Sequence, residues 1–369
     1  MTSLKVLIAP DSFKGSLSAT EVASAIAEGW LAVRPGDVIS IAPLADGGEG
    51  TVDAIHSAVP GAVRRDAGEV RGPDSRPVRG EWLRLPDGTA VVELAQSSGL
   101  PLMAELDPLR ASTFGLGQVI AAALDDGARR LIIGLGGSAS TDAGTGALAA
   151  LGLRSDTGSL DSGGGGLLDV SGVDSSLLRA APEGGVVLLT DVRAPLLGNQ
   201  GAAAVFGPQK GASEHDIDVL ETALTHFADG FGGSPAAPGS GAAGGTAYGF
   251  ATAWSATIEP GAEYISGLID VVAKATEADI VLTGEGCFDA TSLTGKLVGH
   301  VIRVAAGTAT VGVIAGDVRL TPTTADGNTL WSLSLVQLAG STSAAMSDAA
   351  RWLRQAGESA ARQLAPQTE

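Results

Sequence analysis

The sequence predicts an α/β protein: a five-stranded, doubly wound parallel sheet of the flavodoxin or Rossmann-like kind, interrupted by a second, inserted α+β domain. Three observations carry this. Short apolar runs of strand length alternate with helix-length stretches at both ends of the chain. Between them, residues 62–95 alternate apolar and polar with turn signals, which reads as antiparallel sheet. The length, 369 residues, suits two domains. The expected division is 1–60 plus 261–369 for a discontinuous Rossmann-like domain and 61–260 for the insert.

The elements follow in order. LKVLIA (4–9) is a strand closed by Pro10-Asp11. A helix fits 18–33, with Ser18 as N-cap, Glu21 completing a capping box and Arg34-Pro35-Gly36 as the stop. Residues 38–43 form a second strand, followed by the loop LADGGEGT and a helix through 52–58. In the insert, Asp87-Gly88 sets a hairpin turn. Helical (112–126), strand (130–135) and helical (142–151) patterns follow. Residues 155–185 read as a long surface loop, 186–191 as a buried strand, and 232–247 as a flexible, low-complexity linker. Beyond 261 come a helix (261–276), a strand (279–284), a helix near 294–306, strands at 309–316 and 331–338, and a closing helix (342–363). The common order 2-1-3-4-5 would open a ligand crevice at the C-terminal ends of strands 1 and 3.

Composition excludes several classes. Lysine and arginine total 23 against 41 aspartates and glutamates, a net charge of −18. That disfavours nucleic acid and anionic membrane surfaces as partners. No apolar run reaches the roughly 18–20 residues of a membrane span. The N-terminus lacks the features of a signal peptide, so a cytoplasmic location is expected. A single cysteine, Cys287, removes disulfide frameworks and multi-cysteine metal sites. No GxxxxGK[ST] occurs, and the GxGxxG at 239–244 follows Pro238 and not a strand.

Candidate chemistry gathers at strand ends. Strand 1 leads into Asp11-Ser12-Phe13-Lys14-Gly15-Ser16, and strand 3 into Gly284-Glu285-Gly286-Cys287-Phe288-Asp289, with Gly295-Lys296 just beyond. Strand 2 adds Asp46-Gly47-Gly48-Glu49-Gly50-Thr51. Glycine lets backbone N–H groups approach an oxyanion, and carboxylates beside an anion call for a counter-charge, usually Mg²⁺. In the insert, Gly136-Gly137-Ser138 through Asp142 lies between a buried strand and a helix, as in a phosphate cradle. It is similar to the glycine loop of the GHMP small-molecule kinases. Asp191 ends another buried strand. Only five lysines occur, and Lys14, Lys210 and Lys296 abut glycine in loops. A chain this acidic that handles anions needs positive charge fixed locally.

IAPDSFKGSLSA (8–19), ADGGEGT (45–51), GLGGSASTDAGTGAL (134–148), VFGPQKGA (205–212), GSGAAGG (239–245) and VLTGEGCFD (281–289) together resemble the glycerate kinase type 1 family. The chain departs from the family pattern at Arg193-Ala194-Pro195-Leu196, at Ala143-Gly144 and at Thr291-Ser292. The resemblance implies ATP-dependent phosphorylation of D-glycerate, usually to 2-phosphoglycerate, in a cleft between two α/β domains. ATP and Mg²⁺ are the implied cofactors and D-glycerate the partner. The expected catalytic set is Asp11, Lys14, Asp46, Asp191, Glu285 and Lys296, with Asp46, Asp191 and Glu285 as metal ligands. Ser12, Ser16, Gly47, Gly48, Glu49, Thr51, Gly136, Gly137, Ser138, Asp142, Lys210, Gly284 and Asp289 are expected to bind substrate or phosphate. The rivals are a kinase of another small hydroxy acid or polyol and a non-catalytic metabolite sensor.

Overall fold

The computed structural model describes residues 3–293, 297–324 and 327–365. Its strands are β1 (Lys5–Ile8), β2 (Val38–Ile41), β3 (Val63–Arg71), β4 (Pro77–Arg84), β5 (Thr89–Glu93), β6 (Arg130–Gly134), β7 (Val186–Leu189), β8 (Thr257–Glu259), β9 (Ile280–Phe288), β10 (Thr310–Val318) and β11 (Trp331–Ser334). They form two sheets, and the chain divides into two compact units.

The first unit comprises Met1–Asp46, Asp53–Pro60 and Ala262–Glu369. Its sheet runs β11-β10-β9-β1-β2, and every pairing is parallel. Val6, Leu7 and Ile8 in β1 and Ile280, Val281 and Leu282 in β9 are all buried. Such unbroken apolar runs belong to strands covered on both faces. The helix Ala19–Val33 starts where the Ser18 hydroxyl accepts from Glu21 N–H and Glu21 returns a carboxylate to Ser18 N–H. It packs on the helix Ala349–Leu364 at glycines: a Cβ on Gly29 would stand 1.9 Å from Arg354 O, and one on Gly357 2.3 Å from Ile26 O.

Boundaries shift where tertiary partners intervene. β9 runs past 284 to Phe288 because β10 offers Ala315, Asp317 and Val318 as partners to Glu285, Cys287 and Phe288. The strand expected over 331–338 stops at Ser334, which caps a short helix, Leu335–Ala339. The helix expected over 261–276 is two, Gly261–Leu268 and Val271–Glu277, parted at Asp270 with φ of 58°. The closing helix likewise divides into Thr342–Ser347 and Ala349–Leu364.

The second unit comprises Gly47–Val52 and Gly61–Gly261. Its sheet runs β3-β4-β5-β6-β7-β8. β3, β4 and β5 pair antiparallel, but β5 through β8 pair parallel, so the α+β expectation is corrected to one mixed sheet. The cause is the connection after β5. The helices Leu94–Ser98 and Phe114–Asp125 make a crossover, which returns the chain as a parallel neighbour and not as a third hairpin. Trp82, Leu131, Ile133, Leu188, Phe227, Tyr248 and Phe250 centre the core.

Two loop readings change. The segment 232–247 is not a linker. Ser240 and Ala242 are buried, a Cβ on Gly241 would stand 2.1 Å from Pro195 O, and the Tyr248 hydroxyl donates to Gly232 O. Its small residues permit close backbone packing. The long loop 155–185 likewise buries Leu160, Leu167 and Val170 and contains a short 3-10 helix, Gly165–Asp169. The helix expected from 142 begins at Thr145, because Ala143 and Gly144 both take positive φ. Among the described residues, no helix is long and apolar enough to cross a membrane.

Candidate functional site

In the first unit a cavity of about 430 Å³ opens at the C-terminal ends of β1, β9 and β10. Asp11, Asp46, Glu285, Asp289, Asp317 and Lys14 supply its charge, while Phe13, Leu335, Val336 and Met346 supply an apolar wall. The backbone holds the first loop in place. Asp11 N–H donates to Gly284 O at 2.8 Å, and the buried Thr283 hydroxyl donates to Ala9 O at 2.8 Å. Phe13 and Leu17 then pair backbone to backbone, closing a tight loop in which Gly15 takes φ of 82°. Gly284 has no room for a side chain, since a Cβ would meet Ile314 O at 1.8 Å.

The acids feel one another. Burial pushes the Asp11 carboxyl up to about 7, and the negative charge of Asp46 adds to that rise. Ser12 N–H, 2.6 Å from Asp11 Oδ1, and the Lys14 ammonium pull the other way, while Glu285 pushes it further up. Burial also raises the Cys287 thiol, against a reactive-thiolate role. Among the described residues, no group of three or more His, Cys, Asp or Glu is arranged to hold a metal by itself.

In the second unit a cavity of about 320 Å³ is lined by Glu49, Gly136, Gly137, Ser138, Thr190, Gln209 and Lys210, among others. Gly136 N–H donates to Gly47 O at 3.1 Å, and a Cβ on Gly136 would stand 2.3 Å from Gly48 Cα. The two glycine loops therefore lie backbone against backbone, and that contact alone demands glycine at Gly136. A Cβ on Gly47, which takes φ of 87°, would stand 2.7 Å from Leu189 O. Lys210 ends the 3-10 turn Pro208–Lys210 and is buried, donating to Ser138 Oγ at 2.9 Å and to Ser140 O. Burial lowers its ammonium to about 8, partly opposed by the charge of Asp142.

The expected residues thus divide. Asp11, Ser12, Lys14, Ser16, Asp46, Glu285 and Asp289 line the first cavity, whereas Glu49, Gly136, Gly137, Ser138 and Lys210 line the second. The loop after β2 was expected to serve the sheet crevice as a whole. Only Asp46 does, and Gly47–Val52 belongs with the second unit. Asp142 is fully buried and spends its carboxylate on Thr113 N–H and hydroxyl, Gly144 N–H and Gly146 N–H, so it shapes its own loop. Thr51, also fully buried, turns its hydroxyl to Gly48 O at 2.8 Å. Asp191 lies in the second unit with Oδ1 accepting from Gly261 N–H. Of the expected metal trio, only Asp46 and Glu285 share a cavity. Lys296 lies outside the described residues.

Sequence reasoning missed Asp317, the Leu335–Met346 wall and Glu93. Asp317 carries a signal like that of Asp11, an acid just past a run of buried apolar residues, here within β10. Glu93, at 4% exposure, accepts from Gly50 N–H and Val52 N–H and so caps the helix Thr51–Ala58.

Residues 6–365 match the model of the glycerate kinase family. The chain belongs to that family. A glycerate kinase of Bacillus subtilis (strain 168) is 43% identical over 309 residues, covering 79% of each chain. A glycerate 2-kinase of Escherichia coli (strain K12) is 38% identical over 310 residues, covering 80% of each. The fold is similar to a crystal structure of a candidate glycerate kinase 2 from Salmonella typhimurium LT2. There the TM-score is 0.81 at 35% identity, with 98% of each chain covered. Family membership makes the chain a phosphotransferase with a small-molecule substrate.

Proposed function

We propose that the chain transfers the γ-phosphoryl group of ATP to the C2 hydroxyl of D-glycerate, with Mg²⁺ as the nucleotide's counter-ion. The observation that carries the reading is the carboxylate-rich crevice with one apolar wall, set at the switch point of a parallel sheet in a glycerate kinase family chain. Leu335, Val336 and Met346 suit the flat, apolar face of a nucleotide base. Lys14 is the ammonium beside them that suits phosphate oxygens.

The acids fit a divalent cation. Asp11, Asp46 and Glu285 gather negative charge in one crevice, and the charges of Asp46 and Glu285 add to the burial that raises Asp11. They are too few in arrangement to form a protein-only cage. That donor set matches Mg²⁺, which takes one or two carboxylates and completes its shell with substrate phosphates and water. Asp46 and Glu285 would hold it, and when bound the ion neutralises charge on the transferring group. The chain's own contribution is positioning and exclusion of water, since phosphoryl transfer asks little covalent chemistry of the protein.

The test is ³¹P NMR of the product formed from ATP and D-glycerate, with and without chelator. A proton-coupled doublet, from phosphorus on a CH–O carbon, is expected and marks 2-phosphoglycerate. A triplet would place the phosphate on C3. Undiminished turnover in excess chelator would remove the metal assignment.

A further inference from the structure

The second unit holds a buried charge that the proposed nucleotide site does not use. Lys210 is 2% exposed, yet among the described residues its Nζ donates only to Ser138 Oγ and Ser140 O, two neutral acceptors. Asp142 acts on it through charge alone, because Asp142 spends its oxygens on Thr113, Gly144 and Gly146. A buried ammonium without a carboxylate partner is costly, and a nearby anion relieves that cost. Ser138 transmits the charge. Its oxygen is occupied as an acceptor, so its own O–H proton must point elsewhere, and among the described residues it has no acceptor. Ser138 stands on the wall of the 320 Å³ cavity, next to Gly136 and Gly137. Glu49 lines the same cavity, with Oε1 3.1 Å from where a Cβ on Gly137 would lie.

We infer that this cavity is the subsite of the acceptor acid: the substrate carboxylate accepts from the Ser138 hydroxyl, Lys210 supplies positive charge behind it, and Glu49 accepts from a substrate hydroxyl. One ammonium faces one carboxylate here, so the cavity is close to neutral before it fills. A nucleotide's phosphate chain would bring several negative charges against Glu49 with only Lys210 to offset them. A hydroxy acid brings a single charge at one end and hydroxyl donors at the other, which matches the polarity of the walls. Lys210 acts through Ser138 and is a positioning residue. The inference rests on the glycerate kinase reading and sharpens it.

The experiment is the pair of KM values, for D-glycerate and for MgATP, in the wild type, Lys210→Met, Ser138→Ala and Ser138→Thr. Folding is checked by circular dichroism. Ser138→Ala removes one oxygen and serves if Lys210→Met does not fold. Lys210→Met and Ser138→Ala are expected to raise KM for D-glycerate about 10- to 150-fold, the range of one charge-assisted hydrogen bond, while KM for MgATP stays within about threefold. Ser138→Thr, which keeps the hydroxyl, should recover most of the loss. A rise in KM for MgATP with KM for glycerate unchanged would overturn the inference and give the cavity to the nucleotide. Unchanged values for both substrates would overturn it as well. If the wild type does not phosphorylate glycerate, the functional reading fails by itself. The subsite is then read with glycolate, a singly charged hydroxy acid, whose thermal stabilisation of the wild type must vanish in Ser138→Ala for the inference to stand.

Discussion

Lys14 and Lys210 read alike in the sequence, each a lysine beside glycine, but their surroundings give them different work. Lys14 is exposed at the first cavity, where the proposed function has it follow the moving phosphoryl group. Lys14→Gln is expected to lower kcat/KM about 10- to 150-fold, the range for one charge-assisted hydrogen bond. A loss under threefold in a folded variant would remove Lys14 from the site. Lys210 is buried, and its ammonium is lowered to about 8 from an ordinary 10.5. Below pH 8 it is charged in both the folded and the unfolded chain, and burial of that charge is a constant cost. Between about 8 and 10.5 the unfolded chain binds more protons than the folded one, so stability gains as pH rises. Relative to Lys210→Met, the wild type should therefore gain up to about 3 kcal/mol across that window. Urea midpoints for both proteins at pH 7, 8, 9 and 10 measure it. A flat difference would mean that Lys210 titrates normally. Which lysine would be buried was not legible, because the turn Gly207–Gly211 places Lys210 against Ser138 and Ser140, some seventy residues away in sequence.

Among the elements, those built on local rules were readable. Ser18 and Glu21 cap their helix through contacts three residues apart. The parallel strands show as apolar runs because both their faces are covered. What escaped were elements shaped by a distant backbone. The helix Ala19–Val33 keeps Gly29 because Arg354 O would lie 1.9 Å from a Cβ there. Gly29→Ala should thus lower stability by about 1–3 kcal/mol, the cost of overpacking. Gly36→Ala, with nothing within 4 Å, should stay within about 0.5 kcal/mol. Equal thermal midpoints for the two variants would contradict the helix contact. Glu93 is a second case. Its carboxylate caps a helix that begins some forty residues earlier. Glu93→Gln replaces one accepting oxygen with a donor facing an N–H, and about 2 kcal/mol of stability should be lost. Urea unfolding at pH 7 reads that directly. The segment 232–247 shows the converse error, since small residues chosen for tight packing look like a linker when read without their neighbours.

Across the entire chain the net charge of −18 opposes two anionic substrates. Screening weakens that repulsion, so kcat/KM for D-glycerate should rise about two- to fivefold between about 10 and 150 mM NaCl at fixed free Mg²⁺. A fall over the same range would show that local positive charge dominates the approach. The chain alone determined the family, the alternation of strands and helices, and the loops that hold the acids, because these rest on residue order and on patterns a few positions long. It could not show how the glycine loops divide. Asp46 faces one cavity while Gly47–Val52 packs with the other unit, and the backbone of Gly47 and Gly48 lies against Leu189 and Gly136. Nor could it show that Asp142 and Thr51 are consumed inside their own loops while Ser138 keeps a proton to give. A side chain's chemistry depends on which donors and acceptors reach it, and only the folded chain brings residues distant in sequence within hydrogen-bonding distance.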